Sequence, residues 1–308
     1  MLRYHRMSQN EPSVLEANIV KTVAWFSLFD YPLTTFEIWK WLGVKISLIE
    51  VELTLQTSLW LRGRIEFKDG FYVLGGRPVD TIISTHQERF LDAVRKFKKL
   101  NLAAKYFSLF PFVRAVFACN TLAWHNTTPS SDIDLFIVVS PGTIWLSRLL
   151  LVTPFRLLGR RPNQNKIDPF CFSFFVTTKN LSTEKLLLPE GDPYMAYWLS
   201  SLIPVFDRDN VHKQLKKENC WLFELLPNIQ EDKITTIPNT QSEFFLLQSF
   251  ENFAKFFQNK FLPQAIKDLA NLDSRVVISD SMLKFHLNDR RAYFRDEWKK
   301  LYEARGVS

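Results

Sequence analysis

Asn120-Thr121-Leu122-Ala123-Trp124-His125-Asn126-Thr127-Thr128-Pro129-Ser130-Ser131-Asp132-Ile133-Asp134-Leu135 lies between two apolar runs, Val113-Arg114-Ala115-Val116-Phe117-Ala118-Cys119 and Asp134-Leu135-Phe136-Ile137-Val138-Val139. Short apolar runs bounded by polar, turn-forming residues read as buried strands, so this stretch is a loop joining two strands. Side chains alternate along a strand, which places Asp132 and Asp134 on the same side of the second one. Two aligned carboxylates at a strand mouth make a hard-oxygen site suited to Mg²⁺. A turn whose aspartates accept backbone N–H bonds would account for the same letters, so the pair alone decides nothing.

Working outward, a helix at about 143–158 separates the second strand from a third, Phe170-Cys171-Phe172-Ser173-Phe174-Phe175-Val176. Strict alternation would put Cys171, Ser173 and Phe175 on one side of that strand and Phe172 and Phe174 on the other, so neither face carries an acid. Asp168, just ahead of it, is the nearest acid.

Upstream, Leu15, Ile19, Val23 and Phe26 fall at helical spacing, and the pattern stops before Pro32. Thr34–Glu37 and Ser47–Glu50 each have the form of a capping box, which starts helices at about 35–42 and 48–61. Arg64 to Leu74 then alternates around Asp69-Gly70, a tight-hairpin signal. Three helices and a hairpin over 11–80 predict a winged helix-turn-helix. Its helix 47–61 carries Glu50 and Glu52 and no Lys or Arg, and only Arg62, Arg64 and Lys68 sit at the wing. Because phosphate neutralisation dominates nucleic-acid affinity, packing against protein is the favoured role.

The net charge of +7 is unevenly spread: residues 11–80 sum to −2, residues 81–180 to +8, and residues 181–308 to −1. Attraction for an anionic partner, nucleic acid included, therefore belongs to 81–180. Arg95, Lys96, Lys98 and Lys99 fall on a long helix at about 82–108 and read equally as a solvated face or a phosphate track. Beyond 180 the pattern is helical, at about 193–204, 208–226, 241–271 and 284–303. There Phe244, Phe245, Phe250, Phe253, Phe256 and Phe257 read as core.

An apolar strand, a small polar pair at Asn120-Thr121, and Ser131-Asp132-Ile133-Asp134 opening the next strand resemble the signature of the DNA polymerase β-like nucleotidyltransferase superfamily. More loosely, the whole chain, with Phe29-Asp30-Tyr31-Pro32-Leu33 and Phe285-His286-Leu287-Asn288-Asp289, is similar to uncharacterised bacterial proteins that pair a winged helix with such a core. The resemblance implies an α+β or α/β fold: a mixed sheet flanked by helices over 81–180, the winged helix over 11–80, and a C-terminal helical region over 181–308. It also implies that Asn120, Thr121 and Ser131 bind nucleotide and that Asp132 and Asp134 hold Mg²⁺ and carry the catalysis. Asn120 stands where the family has Gly and Thr121 where it has Ser. Asn tolerates the left-handed conformation and Thr keeps a hydroxyl, so the phosphate turn stays feasible.

The remaining candidates are weaker. His125, in the loop, is more simply an exposed histidine than a nucleotide contact. His86, His212 and His286 lack metal-binding spacing. Arg160, Arg161 and Lys166 are phosphate contacts or a solvated loop. Cys119, Cys171 and Cys220 form no CxxC pair, and the expected compartment is a reducing cytoplasm. No run of about 20 uncharged apolar residues exists, so no membrane partner is expected. The expected function is Mg²⁺-dependent transfer of a nucleoside monophosphate from a nucleoside triphosphate to a hydroxyl of RNA, protein or a small molecule. The alternative is a non-catalytic relative that binds nucleotide, protein or nucleic acid, and a DNA-binding regulator stands third.

Overall fold

A computed structural model describes residues 11–162, 167–229 and 245–308. Three helices open the chain, α1 (Val14–Ser27), α2 (Thr35–Lys40) and α3 (Leu48–Thr57), each started by a formed capping box at Ser13/Glu16, Thr34/Glu37 and Ser47/Glu50. The hairpin β1 (Ile65–Lys68) and β2 (Phe71–Leu74) turns through Asp69 and Gly70, both at positive φ (51° and 85°), as a two-residue turn of this kind requires.

There follow α4 (Val79–Phe107), β3 (Val113–Ala118), α5 (Asn120–Ala123), β4 (Ile133–Val139), α6 (Ile144–Leu157), β5 (Phe170–Thr177), α7 (Pro193–Ser200) and β6 (Ile203–Asp207). The chain closes with α8 (Val211–Glu218), α9 (Trp221–Leu225), α10 (Gln248–Lys260), α11 (Gln264–Leu269), β7 (Val276–Ile278), β8 (Met282–Phe285) and α12 (Arg291–Glu303). Six strands form one mixed sheet in the order β6-β3-β4-β5-β8-β7. Only β4 and β5 are parallel neighbours, joined through α6; every other pair is antiparallel.

Three of these strands come from beyond residue 180, where the sequence pattern suggests helices. β6 contains Pro204, which has no N–H to give; it is tolerated because β6 is an edge strand. β8 is four residues long with a central Lys, and its apolar neighbours Met282 and Leu283 are buried against the sheet. The expected helix from 284 therefore starts only at Arg291.

β5 departs from strict alternation. Asp134 pairs with Cys171, but Phe136 pairs with Phe174, so β5 carries one extra residue between the two pairs. The bulge returns Phe174 to the face of Phe136, while Phe172 and Phe175 share the opposite core. The expected grouping of Phe172 with Phe174, and of Phe175 with Cys171, is overturned by that one residue.

The N-terminal unit packs onto the rest of the chain. Phe26 and Phe29 meet Trp124 at ring distances of 5.5 and 5.0 Å, and Trp25 stacks on Tyr197 at 4.9 Å. Buried Asn228 donates to the carbonyls of Trp39 and Val44 and accepts from Ile46 N. The hairpin's cations are engaged as well: Lys68 pairs with Asp80, and Arg64 donates to Arg305 O while lying over Trp60.

On α10 the expected core assignment fails: Phe250, Phe253, Phe256 and Phe257 are exposed. Phe244 lies outside the described residues, as does the side chain of Phe245. The inward stripe is Glu251, Ala254 and Gln258. Glu251 accepts from the N–H groups of Trp145 and Leu146 (2.9 and 2.7 Å), capping α6 from another helix, and Gln258 donates to Trp145 O. Polar atoms win the inner face because α6 brings its unsatisfied amides there. Glu251→Ala is therefore expected to cost about 2 kcal/mol, and Phe256→Ser no more than about 0.5 kcal/mol, in urea denaturation. Among the described residues, no helix is long and apolar enough to cross a membrane.

Candidate functional site

The end of β3 and the starts of β4 and β5 meet at one end of the sheet, and the aspartates sit there. One ligand atom from each of Asp132, Asp134 and Cys171 lies within 4.8 Å of the other two. The same-side projection of the two carboxylates thus holds, and the third member is a thiol. Cys119 N donates to Asp134 O at 3.2 Å, which fixes the strand mouth, and the Asn120 side chain lies near enough to the Asp134 carboxyl to oppose the rise that burial causes. Asn120 adopts φ 55°, the left-handed conformation that makes Asn a workable substitute for Gly. Thr121 is partly exposed at the following position, and its carbonyl accepts from Asn126 N.

Ser131 serves the loop and not the opening: its hydroxyl accepts from Thr128 N at 2.9 Å and contacts the Thr128 hydroxyl. His125 is neither exposed nor beside the aspartates. Its ring stacks on Phe90 and Phe97 of α4, with centroids 5.4 and 5.1 Å away.

Behind the loop the basic residues of α4 separate into different roles. Lys96 is fully buried and donates to Thr128 O and Ser131 O at 2.5 and 2.6 Å, holding the turn that delivers Asp132. Arg95 and Lys99 both bind Asp168, whose side chain is inaccessible to solvent. Asp92 joins the group through Arg95, Lys96 and the Thr127 hydroxyl. Burial opposes the charge on Asp168, but the bonds from Arg95 and Lys99 win and hold its carboxyl far below the usual range. Asp168 is therefore a structural anion and not a third acid at the opening; only Lys98 of the four cations is exposed.

The electrostatics at the opening run the other way. Burial raises the carboxyls of Asp132 and Asp134 and the thiol of Cys171; for Asp134 the neighbouring Asp132 adds to it, and for Cys171 the neighbouring Asp134 does. Neither aspartate forms an ion pair with a described residue, whereas Asp92, Asp168, Asp192, Asp209 and Asp289 each have an Arg or Lys within 4 Å. Arg161 is the cation whose field reaches both Asp132 and Cys171. Arg160 is exposed, and Lys166 lies outside the described residues.

A cavity of about 240 Å³ adjoins the site through Asn120 and is walled by Phe174, Tyr194, Trp198 and Phe294, with Lys284 and His286 on its β8 side. Buried Arg291 braces this wall by binding Asp192, which caps α7, and Asp289. Burial lowers Lys284 to about 8 and, aided by Lys284, His286 to about 3, so His286 is neutral near pH 7. The cavity is not foreshadowed in the sequence, because its β8 side rests on a strand formed by pairing with β5 where a helix from about 284 is expected. Cys171 was not among the expected ligands, because only the parallel register of β4 and β5 sets it opposite Asp134.

No family model, no curated protein and no solved structure matches the chain.

Proposed function

We propose that the chain is a nucleotidyltransferase of the polymerase β-like type, with a winged helix as its N-terminal unit. The observation that carries this reading is the convergence of Asp132 and Asp134 at the mouth of β4, beside a left-handed Asn120. The adjoining aromatic-walled cavity supports it, because planar bases gain from stacking on such walls.

In this reading Thr121 donates its hydroxyl to the phosphates and the cavity holds the nucleoside or the acceptor. A divalent cation held by the aspartates would neutralise charge gathering on the transferred phosphoryl group. The expected Mg²⁺ meets a mixed donor set, two oxygens and one sulfur; the carboxylates suit it and the thiol does not. Lys96 and the ion pairs of Asp168 position the loop and touch nothing that reacts. The N-terminal unit serves packing in place of DNA reading, since Glu50 and Glu52 are exposed on α3 and Arg64 and Lys68 are engaged internally.

The second reading, a nucleotide-binding relative without chemistry, is favoured by the commitment of Asp168 to Arg95 and Lys99, which leaves no described third carboxylate at the opening. Incubation with labelled nucleoside triphosphates and cell extract separates the two. Transfer of label to RNA, protein or metabolite that disappears in Asp134→Asn is expected for the enzyme. Triphosphate binding without any labelled product across acceptor and metal screens would establish the second reading.

A further inference from the structure

We propose that Asp132, Asp134 and Cys171 form a site for a thiophilic divalent cation, Zn²⁺ by preference over Mg²⁺, bound through two carboxylate oxygens and a thiolate sulfur. The inference takes from the nucleotidyltransferase reading only the location of the site.

Geometry comes first. With metal–oxygen bonds of about 2.1 Å and zinc–sulfur of about 2.3 Å, tetrahedral ligand atoms stand roughly 3.5 Å apart. The three donors here already lie within 4.8 Å of one another, so small side-chain rotations close the set. Two of them are fixed by the sheet: Asp134 and Cys171 are direct partners on β4 and β5, and the β5 bulge follows immediately after Cys171. Sites built on strands hold their ligands more tightly than sites built on loops.

Charge supplies an independent argument. Two carboxylates this close to each other, in a chain that gives Asp92, Asp168, Asp192 and Asp289 an Arg or Lys each, have no described ion-pair partner. Lys96 and Arg161 act on the pair only from beyond ion-pair reach, and a bound cation would supply the close counter-charge. Sulfur then decides which cation. A thiolate favours zinc-like ions, whereas Mg²⁺ seeks six oxygens in near-octahedral order. Three protein ligands also leave the fourth tetrahedral position open, as at catalytic zinc sites.

Supporting contacts lie behind the ligands. Asn120 lies beside Asp134 and Ser173 beside Cys171, with the Ser173 hydroxyl 3.4 Å from His286 Nε2. Such outer partners orient ligands and sharpen affinity. On binding, the thiol proton passes to solvent and sulfur donates an electron pair to the metal, so no oxidant or reductant is involved.

Titrating the metal-free full-length chain with Co²⁺, without nucleotide, tests this. A near-ultraviolet thiolate-to-cobalt band is expected to saturate at one equivalent, to vanish on adding one equivalent of Zn²⁺ and to survive a large excess of Mg²⁺. Cys171→Ser, nearly isosteric, should abolish the band and weaken Zn²⁺ binding by at least about 100-fold. Asp132→Asn should weaken binding with the band retained at saturation, and Cys220→Ser should change nothing. No band in the wild type, its displacement by Mg²⁺ at millimolar level, or its loss in Cys220→Ser with retention in Cys171→Ser would overturn the proposal. Because no nucleotide is present, those results would leave nucleotidyl transfer standing; conversely, zinc binding without transfer would sink only the enzyme reading.

Discussion

Asp168→Ala is expected to destabilise the fold by about 3–5 kcal/mol, whereas Lys98→Ala, on the same helix as Asp168's partners, should stay within about 0.5 kcal/mol. The Asp168 carboxylate is sealed from solvent between Arg95, Lys96 and Lys99, so its removal leaves the buried Lys96 ammonium with Asp92 as its one remaining ion-pair partner among the described residues. The damage spreads to the site, because Lys96 also holds Thr128 O and Ser131 O, one residue before Asp132. The pH dependence follows from the depressed carboxyl of Asp168. Its folded value lies below its unfolded one, so its stabilisation is complete above about pH 4 and is lost as pH falls through the folded value. Chemical denaturation of wild type and both variants at pH 7, pH 4 and about pH 2 checks this: the Asp168→Ala deficit should be large and nearly equal at pH 7 and pH 4 and clearly smaller at about pH 2.

Asp134→Asn should do the opposite, losing binding of a metal–nucleotide complex by about 100-fold or more while keeping or raising the melting temperature. Asp134 is held in a poorly solvated opening with Asp132 beside it and no cation paired to it, so burial first, and repulsion second, raise its carboxyl. A raised acid opposes folding when ionised: the penalty sets in as pH climbs past about 4 and is complete above the folded value. Asparagine removes that penalty at neutral pH. A residue kept at a cost to stability is the mark of a site selected for binding. Parallel thermal melts and titrations of wild type and Asp134→Asn give both readouts, and a drop in melting temperature would mean that Asp134 is structural.

How far these arguments were legible in the sequence depends on where the deciding contacts lie. Local signals carried well: apolar spacing ending before Pro32 marked α1, two capping boxes marked α2 and α3, Asp69-Gly70 marked the hairpin, and the Asp132/Asp134 spacing marked the carboxylate pair. Asn120 in the left-handed region agrees with the tolerance of its side chain for that conformation. What failed was tertiary. β6, β7 and β8 are short segments stabilised by pairing with distant strands, and nothing in four or five residues with a Pro or Lys announces that. The aromatic run of α10 misled because Phe usually faces inward, whereas here the unsatisfied amides of α6 claim the inner face for Glu251 and Gln258. Similarly, Arg95, Lys96, Lys98 and Lys99 looked alike until folding brought Asp168 among them. The bulge after Cys171 is a single-residue event without a glycine to mark it, and it hides the match between Phe136 and Phe174 from a strict period of two.

The central claim is that the opening at Asp132 and Asp134 holds a divalent cation together with a nucleoside triphosphate. Calorimetric titration of the full chain with a non-hydrolysable triphosphate, with and without divalent cation, tests it most directly. Binding that requires the cation in wild type and falls by about 100-fold in both Asp132→Asn and Asp134→Asn, each still folded, is the result the account predicts. Equal affinity in wild type and both variants, or binding indifferent to the cation, would contradict it.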